Sequence, residues 1–116
     1  MGVAQARGRA AEALAAAYLE LAGCRIVRRN VRLAGVEVDL VVDDGGTQVL
    51  VEVRMRSRTD YGGAALTVDH RKRERLVRAA QALEQEGARF VRIDVLALTL
   101  HGEGLALTHY RNAVTG

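Results

Sequence analysis

The stretch from Gly35 to Arg54 constrains this chain more than any other. Gly35-Val36-Glu37-Val38-Asp39-Leu40-Val41-Val42 leads into Asp43-Asp44-Gly45-Gly46, and then into Thr47-Gln48-Val49-Leu50-Val51-Glu52-Val53-Arg54. Two dense aliphatic runs around a four-residue turn signal read as a β-hairpin. Side chains alternate faces along a strand. Glu37, Asp39 and Val41 therefore share one face of the first strand, opposite Val36, Val38, Leu40 and Val42. In the second strand, Leu50, Glu52, Arg54 and Arg56 oppose Val49, Val51, Val53 and Met55. Each strand is expected to carry one apolar face and one charged face.

The turn decides which charges meet. A two-residue turn centred on Gly45-Gly46 pairs Asp44 with Thr47, Asp39 with Glu52 and Glu37 with Arg54. A turn at Asp44-Gly45 shifts the pairs by two positions and keeps the faces, whereas an odd-length loop or a bulge would separate them. Like charges facing each other across strands destabilise a sheet, and a divalent cation removes that conflict. Oxygen donors suit Mg²⁺ or Mn²⁺, and Mg²⁺ commonly takes one or two carboxylates plus water and substrate phosphate. A second reading stays open from the residues alone: a solvated polar sheet face with Glu37–Arg54 as an ordinary cross-strand pair.

The remainder is expected to build a scaffold around the hairpin. Residues 4–22 form a helix, with Ala10, Ala11, Leu14, Tyr18 and Leu21 at helical spacing and Gly23 as its stop. Glu12 lies at the edge of that stripe, one turn from Gly8, Ala15 and Ala16. Residues 24–33 form a first strand. Residues 57–66, with Tyr61, Gly62 and Gly63, read as a loop. A second helix covers 69–86, capped by Asp69 or Thr67 and striped by Leu76, Val77, Ala80 and Leu83. Strands follow at 90–100 and 105–110, joined by a turn at 101–104. The order αβββαβ(β) predicts an α/β fold: a mixed sheet flanked by helices on both faces, with the second helix as the crossover into a parallel strand.

Length and charge narrow the function. A chain of 116 residues fits one domain, spanning 1–116. No apolar run is long enough to cross a bilayer, so no membrane partner is expected. The single cysteine, Cys24, cannot form an internal disulfide, which suits a reducing, cytoplasmic setting and reads as a packed residue. Between Arg54 and Arg78 eight basic residues stand against three acidic ones, and Arg25, Arg28, Arg29 and Arg32 cluster with no acid between them. Such clustered guanidinium groups attract polyanions and suit phosphate. Arg71, Lys72, Arg73 and Arg75 crowd the start of the second helix, where cations oppose the macrodipole and a bound anion would relieve the conflict. His70, His101 and His109 are scattered, and surface or turn roles are expected for them. Asp94 is expected to orient backbone or a basic partner near the site.

Asp39 followed by Glu52-Val53-Arg54 resembles the D…(D/E)-x-K signature of the PD-(D/E)XK nuclease superfamily. The whole chain resembles the YraN family of bacterial proteins. The resemblance rests on Gly8 to Glu12, Arg29-Asn30, Glu37-Val38-Asp39-Leu40, Leu50 to Arg56, Lys72, Arg92-Ile93-Asp94-Val95 and Asn112-Ala113, in that order. It implies an αβββαβ restriction-endonuclease-like fold, related to Holliday-junction resolvases, and a Mg²⁺- or Mn²⁺-dependent endonuclease-like site acting on DNA, branched or structured. Asp39, Glu52 and the Val53 carbonyl would bind the metal. Glu12 would complete or orient the site. Arg56, Arg71, Lys72, Arg73 and Arg75 would hold the nucleic-acid backbone. The resolvase-like relatives often dimerise, so a homodimer is a further expectation. The superfamily lysine is Arg54 here, and an arginine stays protonated and cannot act as a general base. Either Lys72 serves in its place, or metal-bound water needs no such base, or the protein is a nucleic-acid-binding module that keeps the fold without the chemistry.

Overall fold

The computed structural model describes residues 2–57 and 69–114. Helix α1 (Val3–Leu21) precedes three strands, β1 (Arg25–Leu33), β2 (Val36–Asp44) and β3 (Thr47–Ser57). Helix α2 (His70–Gln85) follows, then β4 (Phe90–His101) and β5 (Gly104–Tyr110). The five strands lie in chain order in one sheet. Their pairings are antiparallel except β3–β4, which is parallel along the whole of β3. A parallel pair needs a long connection, and α2 lies within it. This is the expected αβββαβ restriction-endonuclease-like arrangement, extended by β5. The loop expected at 57–66 falls almost entirely outside the described residues.

Each helix covers one face of the sheet. Ala11, Ala15, Ala16 and Leu19 of α1 pack on Leu40, Val42, Val49, Val51, Leu96 and Leu98. Leu76, Ala79 and Leu83 of α2 pack on the other face, against Val38, Val41, Leu50 and Ile93. Small alanines on α1 let its backbone approach the sheet closely. The buried stripe of α1 is rotated from the expected one: Leu14 and Leu21 are exposed, at 45% and 90%, and Ala15 and Leu19 are buried instead. Both helices end where expected. The amides of Gly23 and Cys24 donate to Glu20 and Leu19, and those of Gly87 and Ala88 to Glu84 and Leu83. These paired bonds are the Schellman ending that a glycine just past the helix permits.

The hairpin turn is the two-residue form. Gly45 and Gly46 both have positive φ, 61° and 100°, and Asp44 pairs with Thr47. The expected register holds through Leu40–Val51, and the ladder stops there, one step short of Asp39 and Glu52. The simple face alternation does not survive past that point. Val36 and Val38 pack under α2, whereas Leu40 and Val42 pack under α1. The alternation slips at Asp39. The β1–β2 ladder likewise omits its neighbour Asn30, whose φ is 48°. Asn tolerates this left-handed conformation better than most residues do. Val41 and Leu50, expected on charged faces, are buried beneath α2 because both faces of this sheet are covered.

Candidate functional site

The slip at Asp39 creates the site. Where the β2–β3 ladder has ended, the Val53 amide donates to Asp39 Oδ2 at 2.8 Å. A side-chain carboxylate thus takes a backbone donor next to the end of the ladder. Glu52 precedes Val53 and is only 8% exposed. Its Oε1 lies 3.0 Å from Lys72 Nζ on α2. Lys72 is held at both ends, since its backbone amide donates to the N-cap carboxylate of Asp69 at 2.8 Å. Asp69 is therefore the cap, one of the two expected.

Glu12 approaches from α1, on the opposite face. It lies close enough to Asn30, Asp39 and Glu37 for all three to act on its carboxyl group. The left-handed turn at Asn30 and the loss of ladder at Asp39 thus bring elements from both faces to one opening in the sheet. The β2–β3 ladder ends before it reaches Glu37 and Arg54, and the strand partner of Glu37 is Arg32 of β1. Arg54 is half-buried on β3, and its charge acts on both Glu52 and Asp69.

The electrostatics show charge held against its preference. Burial raises the proton affinity of Asp39 above the ordinary carboxylate range, and Glu37 adds to this; the Val53 amide and Lys72 offset it in part. Burial also raises Glu52, with the Asp39 charge next, against the pull of Lys72 and Arg54. Glu12 is raised by burial and then by Asp39, and Asn30 works the other way. Desolvation and like charge are the two causes that favour the neutral acid. Among the described residues no group of three or more His, Cys, Asp or Glu side chains forms a ready metal cage. Two carboxylates and the neighbouring Val53 carbonyl are nevertheless hard oxygen donors. Their excess negative charge suits a divalent cation that takes its other ligands from water and phosphate.

The profile of the uncharacterised protein family UPF0102 matches residues 11–98. The chain belongs to this family. A UPF0102 protein of Stutzerimonas stutzeri is 44% identical over 117 residues, covering 97% of this chain and 98% of the relative. One from Halorhodospira halophila is 48% identical over 95 residues, covering 82% and 78%. Among solved structures, Pyrococcus furiosus SfsA in complex with Ca²⁺ aligns with 93% of this chain and 63% of its own, at 16% identity and a TM-score of 0.42.

The UPF0102 match contains Glu12, Asp39, Glu52, Val53, Arg54 and Lys72, so every residue expected at the centre lies within it. The structure gathers Asp39, Glu52, Val53 and Lys72 through direct contacts and brings Glu12 alongside. The other basic residues are spread out. Arg71, Arg73 and Arg75 are exposed on α2, and Arg56 is half-buried towards the end of β3. Only Lys72 and Arg75 of that set line the groove beside the site, which they share with Arg32 and Arg78. Arg78 extends the Lys72-Arg75 spacing by another three residues along α2, a helical signal present in the sequence.

His109 is not the surface or turn residue expected: it lies on β5 with its side chain buried, in a network with Asp94. Asp94 is fully buried, yet it accepts from Arg92 Nε at 3.0 Å and from the Asn112 amide at 2.9 Å. His109 Nε2 lies 2.8 Å from its other oxygen, and His109 Nδ1 lies 2.9 Å from the Tyr18 hydroxyl. Arg92 continues to Asp44 at 2.8 Å. Asp94 does orient backbone and a basic partner, as expected. The groups it orients are β4, β5 and the segment after β5, and no described contact joins it to Asp39 or Glu52.

Proposed function

We propose that this protein is a metal-dependent phosphodiesterase of the endonuclease type, acting on DNA and binding Mg²⁺ or Mn²⁺ through Asp39, Glu52 and the Val53 carbonyl. The observation that carries the reading is the meeting of Lys72 Nζ with Glu52 at 3.0 Å, beside an Asp39 fixed by the Val53 amide. It supplies from α2 the ammonium group that the superfamily signature places where Arg54 stands. The bound metal would supply a nucleophilic water at neutral pH and charge stabilisation at the phosphate. The protein's own residues then have separable tasks. Asp39 is oriented by a backbone donor. Glu52 is oriented by Lys72, whose ammonium is a mobile point charge able to reach a phosphate oxygen. Arg54 adds fixed positive charge on the same strand. Glu12 sets the charge on the α1 side of the opening. Arg71, Lys72, Arg73 and Arg75, with Arg56, offer the backbone contacts that position nucleic acid.

The test is cleavage of junction, flap and single-stranded DNA by purified protein with Mn²⁺ or Mg²⁺. Cleavage that requires the metal and disappears in Asp39→Asn supports the reading; cleavage that persists in that variant overturns it. A second reading is favoured by Arg54 itself: a nucleic-acid-binding module without hydrolysis. It expects salt-sensitive DNA binding that needs no metal and that weakens when Arg71, Arg73 and Arg75 are neutralised together.

A further inference from the structure

Between the β1–β2 turn and α2 runs a groove of about 620 Å³, opening beside the site at Lys72. We infer that it seats an unpaired nucleotide of a DNA strand, so that the protein selects DNA with a single-stranded segment over continuous duplex. This rests on the phosphodiesterase reading of Asp39 and Glu52 and gives that site a substrate class.

Three features of the groove point there. The first is its rim. Lys72, Arg75 and Arg78 recur every three residues on α2, and Arg32 of β1 lines the same groove. At 1.5 Å per residue the α2 row is about 9 Å long, a track for consecutive backbone phosphates. Among the described residues neither Arg75 nor Arg78 forms an ion pair, and Arg32 donates to the Gly35 carbonyl at 3.3 Å. Of the rim cations only Lys72 is paired with a described carboxylate, Glu52. The second is the lining between them. Exposed Ala34 and Gly35 of the β1–β2 turn present small uncharged surface between the cations, with the buried Val36 and Leu76 behind them, which suits the face of a base or sugar and leaves the phosphate at the edge. Glu37, also on the lining, keeps phosphate from sinking to the floor and can accept a base N–H. The third is size. A volume of this order holds a compact ligand, roughly 300–1,000 Å³ in typical pockets, which is one nucleotide and far less than a duplex. Lys72 belongs to both groove and site, so a nucleotide seated here lies next to the Lys72–Glu52 contact.

The experiment compares fluorescence anisotropy of single-stranded, overhang-bearing and blunt duplex oligonucleotides of equal length. They are titrated with the full chain and with the double variant Arg32→Ala/Arg78→Ala. Both arginines are exposed, and a thermal melt of the variant verifies its fold. The expected result is at least tenfold tighter binding of the single-stranded and overhang DNA by the parent chain. In the double variant that preference falls towards unity, and the salt slope for single strands flattens by about 1.4, since each lost phosphate contact contributes about 0.7. Arg32→Lys/Arg78→Lys is expected to restore it. Equal affinity for blunt duplex, or a preference that survives the double variant, overturns the groove assignment and leaves the phosphodiesterase reading standing. Polyglutamate competing as well as DNA, at equal charge concentration, would make the groove a generic anion site and overturn it too. Failure to bind any of the DNAs at low salt overturns both readings.

Discussion

Two acidic centres lie in one sheet, and they are built on opposite principles. Asp94 is fully buried and surrounded by donors: Arg92, the Asn112 amide and the His109 ring, with Tyr18 and Asp44 extending the chain of contacts. Asp39 and Glu52 are also withdrawn from water, but each feels a neighbouring carboxylate, Glu37 for Asp39 and Asp39 for Glu52, offset by Lys72, the Val53 amide and Arg54. Asp94 behaves as a structural hub that ties β4, β5 and the chain after β5 together. The Asp39–Glu52 pair is an electrostatic deficit that the fold tolerates. A carboxylate that collects donors when buried stabilises the fold; one left short of them is the kind that marks a candidate site.

That contrast breaks most visibly at the hub. Asp94→Ala strands Arg92 and the Asn112 amide without their shared acceptor. Removing one partner of a buried pair costs about 3–5 kcal/mol, and chemical denaturation should show a loss of that order; less than about 1 kcal/mol would erase the distinction. Asp39→Asn and Glu52→Gln should behave in the reverse way. Metal-dependent cleavage is expected to fall by roughly 10²-fold or more, the scale of losing one preorganised electrostatic group. Thermal stability of the metal-free protein is expected to rise.

The pH dependence follows from the same deficit. The folded-state values of Asp39, Glu52 and Glu12 are raised, so the fold holds their protons more tightly than the unfolded chain does. Their contribution is full below the ordinary carboxylate value and is lost as pH rises through the raised folded values. Asp44, lowered chiefly by Arg92, has the opposite sign: its contribution is present above the ordinary value and is lost as pH falls through the lowered one. The advantage of Asp39→Asn in melting temperature should therefore grow from about pH 4 to about pH 7 and shrink when Mn²⁺ is added. A flat difference across that range would remove the deficit.

Lys72 and Arg54 separate more finely. Lys72→Met is expected to lose about tenfold or more of cleavage, against less than about threefold for Arg54→Lys, since the ammonium already comes from α2. The smallest effect belongs to the exposed Arg28–Glu86 pair. Arg28→Ala should cost no more than about 1 kcal/mol, as surface ion pairs do.

Most of the fold was legible because its signals are local. Gly23, Gly45-Gly46 and Gly87 punctuate the chain, and the dense Val/Leu runs leave little choice of element between them. The hairpin register was legible for the same reason. The arrangement of the site was legible only in part. Asp39 and Glu52 are legible from the turn arithmetic and the family resemblance, but the slip at Asp39 coincides with the left-handed Asn30 on a neighbouring strand. The contact of Lys72 with Glu52 depends on how α2 docks. The Asp94 network joins α1, β2, β4 and β5, and no window of sequence contains it. The exposure of Leu14 and Leu21 likewise reflects which stripe of α1 the sheet accepts, and alanines made two stripes comparable.

The single parallel pairing, β3 with β4, also orders events in time. The hairpin closes over a two-residue turn, whereas β4 can join β3 only after a long connection has been drawn in, and non-local pairings of this kind form late. Lys72 rides in that connection. During folding, the carboxylates of the hairpin are therefore expected to meet before their lysine arrives. The expected signature is kinetic: φ-values near the Gly45-Gly46 turn, read at Val42 and Val49, exceed those at Leu76 on α2. A chain caught between those two steps would hold the acidic half of its site and be unable to use it.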